Sequence, residues 1–311
     1  MPDLILHHYA MSPFSEKIRL VLGYKKLAWK SVIIPRILPK PDVVALTGGY
    51  RRTPLLQIGA DIYCDTALIC DVLEHLRPAP SLHPQGSSGA VRIVAQWADS
   101  TLFAAAMGYS FSPPGFAYLF KDEPPEAAKA FAEDRAKMRG GAPRMAPDDA
   151  TSAYKSYLRR IASMVDDQPF VLGAQASLAD FSCYHALWFT RRIPPLAKIF
   201  DATPSLAAWM DRMAAFGHGS VQDSDSSAAI AAAAQARPAD VAEDVFQDDH
   251  GIALGSRVSI TAESFGLEAT EGELVAATRT RYTLRRSDPR AGTVHVHFPR
   301  VGFRLKAVQP A

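Results

Sequence analysis

Short apolar runs and helical repeats alternate along the first eighty residues. Ser12 followed by Pro13 is typical of a helix N-cap and first turn, and apolar residues then recur at the spacing of one helix face. Asp65 and Thr66 begin a second helix. Apolar runs predict four strands, at 4–9, 29–34, 53–58 and 62–64. The resulting order, βαβ followed by ββα, predicts an α/β domain.

The periodicity changes twice beyond this domain. It is helical throughout 87–217, where Ser177 and Asp180 have the spacing of a capping box. Seven acidic residues and one arginine then occupy 220–255, which predicts an acidic linker with one alanine-rich helix at 228–236. After 256 the alternation predicts about five short strands in a small β-barrel-like unit. The predicted domains are therefore an α/β domain at 1–80, an all-helical domain at 87–217, a linker at 218–255 and an all-β domain at 256–311.

Composition excludes several classes of protein. The 311 residues are 48% hydrophobic and 21% charged, and the net charge is +2, which argues against a disordered chain and against a generally nucleic-acid-binding one. Charges interrupt every long apolar stretch, and no basic segment followed by an apolar run stands at the N-terminus, so neither a membrane span nor a secretory signal is expected. Three cysteines do not make a disulfide framework. We therefore expect a cytoplasmic protein.

Three short motifs in the first domain point to one binding site. They are the quartet Ser12-Pro13-Phe14-Ser15 at a strand-to-helix junction, the pair Thr53-Pro54 at the start of a strand, and the pair Asp65-Thr66 at the start of a helix. Their order and spacing resemble those of a thioredoxin-fold glutathione transferase. The resemblance continues through the helical region to about residue 217, where the helix from Ser177 to Trp188 is similar to the buried sixth helix of the family.

The resemblance implies glutathione as the co-substrate. In the family, the residue before a cis-proline pairs its backbone with the cysteinyl part of glutathione, a position matched here by Thr53 before Pro54. An acidic residue followed by a hydroxyl receives the γ-glutamyl group, a position matched by Asp65 and Thr66. These residue types suit the ligand, because a carboxylate attracts an ammonium and a helix start attracts a carboxylate.

The residue beside the glutathione sulfur decides the chemistry. A thiol has a pKa of roughly 8.5, and a helix N-terminus together with a hydroxyl donor favours the thiolate. Ser12 has both properties and is the predicted catalytic residue. Relatives that exchange disulfides carry cysteine at this position, so the serine disfavours redox exchange and favours conjugation. Ser15 and Tyr9 remain alternatives for the contact with sulfur, and a plain helix cap is the alternative role of Ser12.

Other residues near these motifs have two interpretations each. Arg51 and Arg52 are candidates for the glycyl carboxylate, although a solvated loop is the favoured alternative for either one. Lys17 and Arg19 are expected to be exposed helix charges. Aromatic side chains are candidates for an apolar substrate pocket, with core packing or a mobile loop as the alternative. These aromatic residues are Phe14, Tyr109, Phe111 and Phe116.

No metal site is predicted. His295 and His297 are two residues apart on one strand and so share a face, but two ligands without a third make a poor site. The six-residue spacing of Cys64 and Cys70 is not typical of metal ligation either, and both are expected to pack inside, as is Cys183.

The last segment adds charge but no clear role. Residues 256–311 contain nine lysine or arginine residues and five acidic ones, and this excess of positive charge predicts attraction to the acidic linker. Nucleic acid is not expected as a partner. A similar extension occurs on some bacterial glutathione-transferase-like proteins. The resemblance implies a homodimeric glutathione S-transferase of the serine type, active on a small hydrophobic electrophile in detoxification. The alternative is a non-catalytic glutathione- or ligand-binding protein whose extension binds a partner.

Overall fold

The N-terminal domain has a thioredoxin-like arrangement in the computed structural model, which describes residues 2–84, 87–241 and 245–308. Strand β1 runs parallel to β2 and antiparallel to β3, and β4 lies antiparallel beside β3. Its elements are β1 Ile5–His8, α1 Pro13–Tyr24, β2 Ala28–Ile33, α2 Pro41–Thr47, β3 Leu55–Ile58, β4 Asp61–Cys64 and α3 Thr66–Leu76. The four predicted strands and two predicted helices are present, whereas α2 was not predicted.

The second domain is helical, as predicted. Helix α9 lies buried at its centre, and the capping box at its start is confirmed, because the N–H of Ser177 donates to Asp180 over 2.9 Å. The helices are α4 Ser88–Trp97, α5 Phe103–Ser110, α6 Pro113–Leu119, α7 Pro125–Arg139, α8 Pro147–Val165, α9 Leu178–Arg191, α10 Pro194–Ala197 and α11 Pro204–Ala214. A π-helical segment, Ala98–Leu102, joins α4 to α5. None of the helices described is both long and apolar enough to span a bilayer.

The segment predicted as a linker contains regular structure. Strand β5, Ser220–Ser224, pairs in parallel with β2, and helix α12, Ser226–Gln235, follows it. Asp225 caps α12 by accepting the N–H of Ala228 over 2.8 Å, and α12 corresponds to the predicted alanine-rich helix. Residues 220–235 therefore hold a strand that was not predicted as well as the predicted helix, because the open edge of β2 offers unpaired backbone groups to a further strand. Glu243 and Asp244 lie outside the described residues.

The predicted C-terminal strands continue the N-terminal sheet. Five strands form an antiparallel meander with the last beside the first, and the fourth also pairs in parallel with β4. They are β6 Arg257–Ala262, β7 Thr270–Ala277, β8 Arg281–Asp288, β9 Gly292–Pro299 and β10 Phe303–Ala307. The result is one ten-stranded sheet in the order β10-β6-β7-β8-β9-β4-β3-β1-β2-β5. We call residues 256–308 the extension.

Two apolar cores hold these parts together. One packs the face of the N-terminal sheet and α1 against the helical domain around Trp209. The other lies on the opposite side, where α2 and α12 pack with the extension strands around Phe298. The predicted attraction between acidic segment and extension is represented by an ion pair of Arg300 with Asp249. The extension therefore shares both a sheet and a core with the first domain.

Candidate functional site

Strand pairing brings the three motifs to one edge of the sheet. The register pairs His7 with Leu55 and Leu55 with Cys64. The end of β1, the start of β3 and the end of β4 therefore meet, and the residues just beyond them are neighbours. Ser12 follows β1, Thr53 and Pro54 precede β3, and Asp65 and Thr66 follow β4. The predicted convergence of these residues thus has a geometric basis in the sheet.

Ser12 is the N-cap of α1. Its Oγ accepts the N–H of Ser15 over 3.2 Å, and Pro13 at the first helical position has no N–H to offer. The Ser12 residue is 2% exposed, so a group bound there would be largely shielded from water. Because Oγ accepts from the helix, the hydroxyl proton stays available to donate to an anion at the helix N-terminus.

The two alternatives for the sulfur contact are also close. Tyr9 uses its carbonyl to accept the N–H of Ser12 over 3.1 Å, and its side chain is half-buried. The hydroxyl of Ser15 is completely buried and has no hydrogen-bond partner among the described residues. The geometry therefore keeps both residues as candidates beside Ser12.

The peptide bond between Thr53 and Pro54 is cis, as the resemblance implied. Lys40, which the sequence analysis missed, points its Nζ at the Oγ1 of Thr53 over 3.3 Å and is itself 4% exposed. Burial lowers the pKa of Lys40 to about 8. A buried amino group beside the cis-proline loop is a candidate for binding an anionic group of a ligand. Lys40 was not predicted as a site residue because the helix that it precedes, α2, was not predicted.

Asp65 has an unusual backbone, with φ 72° and ψ 138°. Side chains other than glycine rarely adopt this conformation, and such strain is concentrated at binding sites. The carboxylate accepts the N–H of Ala67 over 2.9 Å and faces Arg52 at 3.8 Å. Burial raises the pKa of Asp65, although the N–H of Ala67 and the charge of Arg52 both act to lower it. An ammonium bound here would stabilise the ionised form.

A buried charge network lies behind Thr66. Lys17 contacts the hydroxyl of Thr66 over 3.3 Å and pairs with Asp99 over 2.6 Å, and His185 contacts the other oxygen of Asp99 over 2.9 Å. Lys17 is fully buried and Arg19 is 6% exposed, so the expectation that both are surface charges is wrong. Burial opposes the charge on Lys17, yet the carboxylate of Asp99 raises its pKa. Asp99 lies in the π-helical segment, a type of irregularity that is frequent at functional sites.

The two arginines connect the site to the rest of the chain. Arg51 is buried between Asp134 of α7 at 2.6 Å and Glu268 of the extension at 2.5 Å, so it does not lie in a solvated loop. Arg52 donates from Nε to the carbonyl of Phe265 over 2.5 Å, while its Nη2 is buried without a partner among the described residues. One donor of Arg52 therefore remains for a ligand carboxylate.

The aromatic residues that were predicted to line a substrate pocket lie in different environments. Tyr109 and Phe111 pack in one apolar cluster with Met11, the residue next to Ser12. Phe14 instead packs on His185, with ring centroids 4.5 Å apart, and Phe116 packs on Phe120 at 4.6 Å. Phe116 is half-buried and its place in the pocket stays a prediction, whereas Tyr109 and Phe111 form an apolar wall near the quartet. The three cysteines are free and buried, as expected.

Comparison with known proteins agrees with this geometry. The family profile of the glutathione S-transferase N-terminal domain matches residues 6–81, and that of the C-terminal domain matches residues 130–212. A GST-like protein from Pseudomonas syringae is 43% identical, with a TM-score of 0.82 over 98% of this chain and 100% of its own. The chain belongs to the glutathione S-transferase family.

Solved structures of lower sequence identity share only part of the fold. The β-etherase LigF from Sphingobium sp. strain SYK-6 is 19% identical and matches 68% of this chain and 95% of its own, with a TM-score of 0.51. A glutathione S-transferase from Rhodospirillum rubrum F11 is also 19% identical, matching 68% of this chain and 87% of its own at a TM-score of 0.50. Among curated proteins, none shows significant similarity to the sequence. The near-complete match to the Pseudomonas protein indicates that the extension is present there as well.

Proposed function

We propose that this family member binds glutathione at the edge described above and activates its thiol with Ser12. The observation that carries the proposal is the cap of α1, where Ser12 Oγ accepts a helix N–H and keeps its own proton for donation. A hydroxyl and a helix N-terminus acting together lower a thiol pKa by about one to two units, which corresponds to about 1.4–2.7 kcal/mol. The thiolate would then attack a small electrophile.

The remaining parts of glutathione have matching partners in this proposal. The backbone of Thr53 before Pro54 would pair with the cysteinyl part, and Asp65 with Thr66 would hold the γ-glutamyl group. Lys17 supports the Thr66 hydroxyl from behind. The glycyl carboxylate would meet the buried Nζ of Lys40 and the unpaired Nη2 of Arg52, two donors that lie on the loops flanking α2.

An apolar electrophile fits the surroundings of the quartet. Met11, Tyr109 and Phe111 share one apolar cluster on the side of the helical domain. We include Phe14 in the proposed pocket because its half-buried ring follows Pro13 directly. A role in detoxification, a cytoplasmic location and a homodimer follow from the family resemblance and remain proposals; light scattering on the purified chain tests the dimer.

The decisive experiment measures the pKa of bound glutathione. Ultraviolet absorbance reports the thiolate directly, and it is compared in the wild type and in Ser12→Ala. We expect Ser12→Ala to raise the thiol pKa by about one to two units and to lower turnover about 10- to 100-fold, while the Kd for S-hexylglutathione stays close to wild type. Ser15→Ala and Tyr9→Phe are matched controls, since each removes one competing hydroxyl.

Either of two results would contradict the proposal. An unchanged thiol pKa in Ser12→Ala, with a shift in Ser15→Ala or Tyr9→Phe, would transfer the role to the other residue. No binding of glutathione or S-hexylglutathione at millimolar concentration would remove the enzyme proposal altogether. That second result would favour a non-catalytic protein, an alternative supported by the contact that Arg52 already makes with the extension.

A further inference from the structure

Two histidines and one carboxylate converge where the N-terminal sheet joins the extension. The parallel register of β4 and β9 pairs Asp61 with His295 and Tyr63 with His297. One ligand atom each from Asp61, His295 and His297 lies within 4.8 Å of the other two, and all three residues are buried. We propose that Asp61, His295 and His297 bind a divalent cation of the zinc type. The sequence did not indicate Asp61 as the third ligand, because Asp61 is 234 residues away from His295 in the chain.

The spacing of the three atoms suits one ion. Oδ1 of Asp61 is 2.8 Å from Nε2 of His297 and 3.8 Å from Nδ1 of His295. Zinc binds histidine nitrogen at about 2.0–2.1 Å and carboxylate oxygen at about 2.0–2.2 Å, so two ligands of a tetrahedral ion lie roughly 3.3 Å apart. The observed distances bracket this value, and small side-chain rotations suffice to admit the ion.

His295 presents an unused ligand atom. Its Nδ1 is buried and has no hydrogen-bond partner among the described residues, which is unfavourable for a polar atom unless something binds there. The side chain is 9% exposed. A lone pair on this nitrogen would be available to a cation. Neutral imidazole is the form that ligates metals.

A second layer of contacts already orients the other two ligands. Nδ1 of His297 shares a hydrogen bond of 3.0 Å with the buried hydroxyl of Thr283, and the ring stacks on Tyr63 with centroids 4.4 Å apart. Oδ2 of Asp61 accepts the N–H of Ala239 over 2.8 Å, which leaves Oδ1 facing the histidines. Outer partners of this kind fix the tautomer and orientation of metal ligands.

The Thr283 hydroxyl suits both the metal-free and the metal-bound state. Without metal it can donate to Nδ1 of His297 while Nε2–H donates to Asp61; with metal on Nε2 it can accept from Nδ1–H instead. The ligand set would thus change only its tautomer when the ion enters.

The cluster borders a pocket on one side, at Asp61. Asp61 lines a pocket of about 530 Å³ that also includes Lys30, Gly59 and Arg237. Three protein ligands leave one position of a tetrahedral ion for water or a small ligand, the pattern typical of catalytic rather than structural zinc. Room for that fourth ligand would come from the pocket beside Asp61.

Metal binding is tested on the full-length chain after dialysis against a chelator, in thiol-free buffer. Titration calorimetry with Zn²⁺ is expected to give one site per chain. Co²⁺ is expected to give the visible absorption bands of four- or five-coordinate cobalt. At a Zn²⁺ concentration 100-fold above Kd, we expect the melting temperature to rise by about 4 °C.

Two variants test the proposed ligands, and a third variant is the control. His295→Leu and Asp61→Asn are each expected to weaken Zn²⁺ binding about 100-fold or more and to abolish the cobalt bands. The metal-free melting temperature of each variant is measured as well, because a ligand variant is informative only if it still folds. His75→Ala, which removes an exposed histidine on α3, is the control and should bind as wild type does.

The outcomes separate a metal site from a purely hydrogen-bonded cluster. Stoichiometric binding that both ligand variants lose supports the proposal. Absence of stoichiometric binding by the wild type, or binding that persists in His295→Leu and Asp61→Asn, would overturn it. Asp61→Asn keeps an oxygen for the N–H of Ala239. It therefore still tests the ligand set if His295→Leu does not fold.

Discussion

Arg51 joins three parts of the molecule, and its removal tests whether that junction holds the extension in place. The guanidinium, whose side chain is 2% exposed, lies between Asp134 of α7 and Glu268 of the extension. Arg51→Met keeps most of the apolar stem and removes the charge. The two partners differ in exposure, since the side chain of Asp134 is 9% exposed and that of Glu268 is 36% exposed.

This difference sets the expected magnitudes. Removing one partner of a buried ion pair leaves a charge without compensation and costs about 3–5 kcal/mol. Among the described residues, Asp134 would keep only its longer ion pair with Arg135 at 3.9 Å, whereas Glu268 can turn toward water, where a pair is worth about 1 kcal/mol or less. We therefore expect Arg51→Met to destabilise the fold by about 3–5 kcal/mol, nearly all of it through Asp134.

Double-mutant cycles in urea, followed by tryptophan fluorescence, separate the two pairs. The cycle of Arg51→Met with Asp134→Asn should give a coupling of about 2–4 kcal/mol, and the cycle with Glu268→Gln about 1 kcal/mol or less. Equal couplings, or a loss below about 1 kcal/mol in Arg51→Met alone, would refute the argument from burial. Glu268→Gln is the matched control, because it removes an acid from the same guanidinium.

Three further predictions concern single buried groups. Lys17→Met should weaken glutathione binding about 10-fold or more by calorimetry, because it removes the charge that pairs with Asp99 beside the γ-glutamyl site. Burial lowers the pKa of Lys40 to about 8, so S-hexylglutathione should bind more weakly as pH rises through 8, a dependence that Lys40→Met should lose. Burial also lowers the pKa of His7 to about 4. Between pH 6.5 and 4, His7 is therefore protonated in the unfolded chain and neutral in the native state. Stability measured by urea unfolding should fall by about 3 kcal/mol from pH 6.5 to 4 through this residue, and His7→Asn should flatten that slope.

Local patterns in the sequence were sufficient for the elements that carry the glutathione motifs. The Ser12-Pro13 helix start, the strand before Asp65 and the capping box at Ser177 each depend on neighbours in the chain, and each is present. The register of β1, β3 and β4 then follows from their order. Helix α2 was missed because its seven residues offer fewer than two full turns of periodicity.

The buried charges could not be predicted by the same reasoning. Lys17 and Arg19 have the sequence context of exposed helix residues. The pair of Arg19 with Glu16 at i,i+3 is also typical of a solvated helix face, and the burial of Lys17 is favourable only with Asp99. Asp99 is 82 residues from Lys17, and nothing local to either marks the pair. Long-range complementarity of this kind appears only once the fold is known.

The extension is the largest departure from expectation, and its position bears on the function of the site. A separate domain would leave the edge of β4 open, whereas β9 pairs with it. The same unit holds Arg52 through Phe265, while Nη2 of that arginine stays unpaired. A ligand carboxylate that reaches Nη2 must therefore share the guanidinium with the extension. Because one side chain would serve both, we expect occupancy of the proposed glutathione site to be coupled to the conformation of residues 264–268.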